Sequence, residues 1–252
     1  MPFQITRRMK VLAFVLGSFL TAIEYWNHRM VELEHLYSTS ISPSSERPTA
    51  EAAVRKLNTY AGSEPKKFLL KLATADRDFL DNRQDLAIRL LMTRGDPSLT
   101  IRLVALLQPS VGLARRESVA EALQNTTCDI ECTRFVLHYI ERRWSANAIR
   151  EDITNAVVHF EIDPKIEKEQ LQVVQQLEKT LAINAQSTIH VLRDTYGLGS
   201  PVPSSFSLEV LNSVHLKEAC PFLVASEHKL MDSSKASQLE RAIREIGCTD
   251  SP

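Results

Sequence analysis

The strongest constraint on this chain is a recurrence. Arg83, Ala87, Leu90, Asp96 and Thr100 return 33 residues later as Arg116, Ala120, Leu123, Asp129 and Thr133. A fixed period of about 20–50 residues marks an array of supersecondary units rather than one accidental hairpin. One interval upstream, Val54, Leu57 and Gly62 stand in register with Ala87, Leu90 and Gly95. Downstream, Ile153 follows Ala120, and Asp163-Pro164 falls just past the expected turn. Each unit reads as two helices with one apolar face apiece. A hairpin of this kind cannot bury both faces alone, so neighbours must stack and share a core.

The link inside each unit has its own chemistry. Gly95 tolerates the left-handed conformation that ends a helix, Asp96 can cap the next helix, and Pro97 suits a first helical position. The run SLTIRLVALL then supplies a second apolar stripe, and QPSVGLARR turns the chain back. Composition agrees with helices. Only seven glycines and 6% aromatic residues leave little material for the turns and strands of a sandwich or barrel. The hydrophobic share of 44% is ordinary for a globular protein. Thirty basic against thirty-one acidic residues give a net charge of −1, which argues against a nucleic-acid partner.

The stretch AIRLLMTRGDPSLTIRLVALLQPSVGLARRESVAEAL resembles HEAT-like repeats of the short, roughly 30-residue kind. Gly95, Asp96, Pro97, Pro109, Arg115, Arg116, Ala120 and Leu123 carry the resemblance, which is best over residues 83–144. Residues 49–73 form a fainter copy. The next unit departs from the pattern, with Cys128 at the turn-glycine position and no proline after Asp129. The resemblance implies an all-α fold, an α-solenoid of stacked helical hairpins, and the concave partner-binding surface that solenoids offer.

The amino terminus reads differently. Arg7, Arg8 and Lys10 precede an uncharged, mostly apolar run at 11–23, and Tyr25 and Trp26 follow where an interfacial aromatic pair would sit. Such a segment is a signal-anchor or a cleaved signal peptide. Leu20 or Leu16 at the −3 position of the candidate cleavage sites disfavours cleavage. Thirteen helical residues reach roughly 20 Å against a hydrocarbon core of about 30 Å. Snorkelling by Lys10 and headgroup-level aromatics recover part of the shortfall. A buried core helix is the competing explanation for so short an apolar run. Residues 1–37 are therefore expected to form a signal-anchor helix and its extension, and 38–48 a Ser/Pro-rich linker. Residues 49–196 are expected to form the repeat domain, 197–205 a loop, and 206–252 a helical cap.

Catalytic signatures are missing: no phosphate loop, zinc-protease motif, nucleophile elbow or calcium loop occurs. The seven histidines are scattered, so catalytic, cofactor-binding and metal residues are all expected to be none. Cys128 with Cys132 and Cys220 with Cys248 are candidate disulfides if the chain is exported, and buried free thiols otherwise. Zinc at Cys128 and Cys132 would need two further ligands, with only His138 at hand. Asn125-Thr126-Thr127 is a glycosylation triplet of a kind that chance often produces. The pairs Arg115-Arg116 and Arg142-Arg143 could line one edge of the stack and meet an acidic partner, although such pairs more often form a solvated face.

These readings point to a non-enzymatic scaffold that binds a protein partner, with no cofactor and no small-molecule substrate identified. It is expected to be single-pass, with a cytoplasmic amino end and its bulk on the exported, periplasmic or extracytoplasmic side. Secretion after cleavage is the alternative. Two other functions stay open: an enzyme of hydrolase or lyase class with a site assembled from dispersed residues, and a subunit of a membrane complex.

Overall fold

The computed structural model describes residues 7–77, 80–108, 111, 113–154, 164–201, 203–227 and 233–248, and at 7–14, 81, 145–154, 164–170 and 233–235 the backbone only. Among the described residues the chain is all-helical, with no strand. It divides into two compact units, Met1–Ala87 and Ile88–Pro252.

The first unit contains α1 (Arg7–Ile41), α2 (Arg47–Thr59), α3 (Ser63–Ala73) and the start of α4 (Asp81–Met92). The second half of α1 packs on α2 and α3, and α2 packs on α3. In α2 the buried residues are Ala50, Ala53, Val54 and Leu57, the i, i+3, i+4, i+7 spacing of a single helix face. Leu33 and Leu36 from α1 and Leu69 and Leu72 from α3 complete this core.

The Ser/Pro-rich segment is more helical than the sequence suggests. The helix runs on to Ile41, so only residues 42–46 connect α1 to α2, a shorter link than 38–48. Two hydroxyls explain the extension. Thr39 Oγ1 donates to the His35 carbonyl at 2.9 Å and Ser40 Oγ to the Tyr37 carbonyl at 2.6 Å. Folding back onto the preceding turn removes these hydroxyls from competition with the helix. Ser40 is also fully buried.

A buried arginine then closes the link. Arg83 is 7% exposed. Its Nη1 donates to the Ser40 and Ser42 carbonyls at 2.9 and 3.0 Å, and its Nη2 to the Ser45 carbonyl at 3.2 Å. The Ser40 carbonyl lies in the last turn of α1, where carbonyls lack intrahelical partners and carry partial negative charge, so the guanidinium satisfies that end and ties it to the link carbonyls of Ser42 and Ser45. Gln84 Nε2 similarly donates to the Ala75 carbonyl.

The second unit holds α5 (Pro97–Val104), α6 (Leu113–Leu123), α7 (Ile130–Thr154), α8 (Pro164–Ile183), α9 (Ala185–Tyr196), α10 (Ser205–Val214), α11 (Cys220–Glu227) and α12 (Ser233–Ile246). Short 3₁₀ turns at Ala105–Leu107 and Lys217–Ala219 follow α5 and α10. Its packing alternates. Helices α6, α8, α10 and α12 contact one another in succession, as do α5, α7 and α9 followed by the Lys217–Ala219 turn. Contacts of α7 with α8 and of α8 with α9 join the two rows.

The turn at Gly95 forms as its residues dictate. Gly95 has φ +62°, Asp96 Oδ1 accepts from the Ser98 backbone N–H at 3.2 Å, and Pro97 is the first helical residue. Asp129 acts alike at α7, accepting from the Cys132 N–H at 2.9 Å. Several other positions in the 33-residue register match in burial, though not in partners. Arg116, like Arg83, is 7% exposed, Ala87 and Ala120 are fully buried, and Thr100 and Thr133 are both buried. Leu123 is buried and Leu90 only half-buried.

Both candidate cysteine pairs are bonded. Cys128–Cys132 and Cys220–Cys248 each have Cα atoms 5.3 Å apart, and all four residues are buried. The Cys128 N–H donates to Asn184 Oδ1 at 3.0 Å, which ties the cysteine turn to the corner between α8 and α9.

Candidate functional site

Helix α1 changes character at Arg29. From Val15 to His28 every side chain is exposed, including Val15, Leu16, Phe19, Leu20 and Ile23. Tyr25 and Trp26, the expected interfacial aromatics, are 70% and 53% exposed. The Thr21 hydroxyl donates to the Gly17 and Ser18 carbonyls at 3.2 and 3.0 Å, so it needs no water in this stretch. The side chains of Arg7, Arg8 and Lys10 lie outside those described. At Arg29 the helix meets the rest of its unit. The Arg29 guanidinium donates to the Ala61 carbonyl and lies 5.8 Å from the Tyr60 ring centre. One turn further, Glu32 accepts from Lys56 Nζ at 2.8 Å. That bond and one to Tyr60 hold the Glu32 carboxyl below its ordinary pKa. Among the described residues, no helix is long and apolar enough to cross a membrane.

The basic pairs are not two matching surface pairs. Arg116 is buried, and its Nη1 donates to the Tyr139 hydroxyl at 3.2 Å. Arg115 is half-buried beside it. The reason is geometric: consecutive helical residues project about 100° apart, so a pair on an amphipathic helix splits between core and surface. Arg142 is exposed while Arg143 is half-buried, with a buried Nε that has no hydrogen-bond partner. Arg116 thus belongs to the interior and cannot contribute to an acidic-partner surface.

Among the described residues no cluster of three or more His, Cys, Asp or Glu could hold a metal ion. The disulfide occupies the thiols of Cys128 and Cys132. His159 and His228 lie outside the described residues. His138 approaches Glu141, with Nδ1 3.6 Å from Oε2, and Tyr196 donates to the same oxygen at 3.1 Å. Burial, reinforced by the Glu141 carboxylate, pushes the Tyr196 phenol well above its ordinary pKa.

A groove of about 400 Å³ opens in the second unit. Gln186, Ser187, His190 and Arg193 line one wall from α9, and Glu218 and Phe222 line the other. Ile130 and Ile189 complete its apolar surface. Asp194 holds two of the wall residues: His190 Nε2 lies 3.1 Å from Oδ2, and Arg193 Nε 3.2 Å from Oδ1. Half of this site is readable in the sequence, because Gln186, His190 and Arg193 recur at i, i+4 and i+7 on one helix face. Its other half comes from residues about 30 positions further on, which periodicity cannot associate with α9.

No protein-family model, curated protein or solved structure matches the chain. What is defined is an all-helical protein with two disulfides and a half-exposed apolar helix. The resemblance of residues 83–144 to short helical repeats stands on those residues alone.

Proposed function

We propose that this protein is a membrane-anchored helical scaffold, held to a bilayer by the first half of α1 and presenting its second unit to a protein partner. One observation carries the anchor: among the described residues, every side chain from Val15 to His28 is exposed, the apolar ones included. Moving Val15, Leu16, Phe19, Leu20 and Ile23, each 41–63% exposed, from water to hydrocarbon would gain on the order of 5 kcal/mol, at about 1.5–3 kcal/mol per fully exposed side chain. An apolar surface this large marks a lipid or protein contact. Arg7, Arg8 and Lys10 favour a cytoplasmic amino end. The two disulfides favour an exported, oxidising compartment for the second unit. Release of that unit by cleavage after export remains the alternative topology.

The partner-binding part rests on the second unit's construction. Its two alternating rows of helices support the stacked-hairpin, HEAT-like reading of the fold. Phe135, Leu171 and Ile183 project apolar side chains from α7 and α8 into solvent. Association of α1 with another protein's helix would make the chain a subunit of a membrane complex, and the same exposed half-helix would serve.

Fractionation of cells expressing the full chain tests the anchor. The protein should stay with membranes through high salt and alkaline carbonate and dissolve only in detergent. A Leu16→Lys, Leu20→Lys variant should lose that behaviour. Release of the unaltered chain by salt or carbonate would sink the proposal. Crosslinking before detergent extraction tests the partner, with a stoichiometric co-purifying protein as the expected result.

A further inference from the structure

We infer that the groove on α9 binds a small amphipathic zwitterion: a molecule of dipeptide size with an ammonium group, a carboxylate and an apolar body. The site lies wholly within the second unit, so it is independent of the membrane reading. Its volume of about 400 Å³ falls in the range of about 300–1,000 Å³ common for small-molecule sites.

The wall chemistry selects the ligand. Gln186, Ser187 and Glu218 make no side-chain hydrogen bond or ion pair among the described residues. Arg193 has one charged contact, through its Nε to Asp194, so its Nη donors have no partner there. Asp194 thereby orients Arg193 and His190 together along one helix face. A planar guanidinium with free donors matches a carboxylate, to which it can bond in pairs. Glu218, from a separate element, accepts an ammonium. Ile130, Ile189 and Phe222 supply apolar surface for the ligand's body. An acid alone would engage Arg193 and not Glu218, and an amine alone Glu218 and not Arg193. A zwitterion satisfies the two walls at once.

The test is calorimetric titration of the full chain in mild detergent with leucyl-leucine, N-acetyl-leucyl-leucine and leucyl-leucine amide. Leucyl-leucine should bind saturably, and each blocked probe about tenfold more weakly or worse. Arg193→Gln should erase the difference between leucyl-leucine and its amide while keeping the penalty for acetylation. Glu218→Gln should do the reverse. Both side chains are exposed, so helix content and thermal midpoint should not change. Should either variant misfold, the three probes on the unaltered chain still decide the matter. Absence of saturable binding up to about 10 mM would overturn the inference. Equal binding of all three probes would overturn it as well.

Discussion

Replacing Arg83 by methionine tests the account of how the first unit closes. The substitution keeps a long apolar stem and removes the guanidinium. Three carbonyl bonds are lost, from Ser40, Ser42 and Ser45. Hydrogen bonds to a charged donor are worth about 1.5–3 kcal/mol each when they replace solvent. The bonds at Ser42 and Ser45 are only partly buried, so water recovers some of their value. Removing the cation also removes its desolvation cost, which offsets a further part. The net loss should be about 2–4 kcal/mol, within the range for breaking a buried polar network. Two units make a single global unfolding energy ambiguous, so amide hydrogen exchange is the assay. Protection at the end of α1 and the start of α2 should fall by roughly 30-fold to 1,000-fold, at about 1.4 kcal/mol per tenfold. Amides of α9 and α10 in the second unit should not change. Arg83→Lys, which keeps the charge but has one short reach instead of a fork, should fall between methionine and wild type. Unchanged protection in the methionine variant would refute the reasoning. It would show that desolvation of the guanidinium cancels its three bonds.

The disulfides should differ in worth. Cys220 and Cys248 are separated by 28 positions and Cys128 and Cys132 by four. By loop-closure entropy the long loop is worth about 3.5 kcal/mol and the short one about 2. Thermal unfolding of the two double-alanine variants should rank in that order, and the reverse ranking would contradict it. Glu178 supplies a pH test. Burial raises its carboxyl pKa, against a smaller opposing contribution from a Ser213 hydrogen bond. A raised folded-state value means stability is full below the ordinary carboxylate range and is lost as pH rises through the raised value. Glu178→Gln should therefore raise the thermal midpoint at neutral pH, with the gain shrinking as pH falls toward about 4. A gain that grew on acidification would contradict the burial argument.

Much of the local structure was legible in the residues. Gly95, Asp96 and Pro97 prescribe a helix stop, a cap and a helix start through backbone constraints that act within a few positions. The spacing of Ala50, Ala53, Val54 and Leu57 fixes a buried helix face in the same local way. The apolar run at 11–23 announced a segment unlike the rest, and its described side chains from Val15 onward are exposed.

The boundaries were less visible. Ser38 to Ile41 read as linker by composition, yet they continue α1 because Ser40 is buried and its hydroxyl is satisfied within the helix. Arg115 and Arg116 read as a surface pair, and helical geometry sends one of them inward. Which of several basic side chains enters a core depends on what waits there: three carbonyls for Arg83 and the Tyr139 hydroxyl for Arg116. The groove likewise needed residues from α9 and the region around Glu218 to meet. The sequence by itself determined an all-helical chain, its turn at Gly95 and its apolar amino-terminal helix, because propensity, caps and periodicity act over one or two turns. Tertiary structure alone decided which charges are buried and which distant polar side chains share a groove. Those outcomes depend on partners brought from elsewhere in the chain, and no local pattern encodes them.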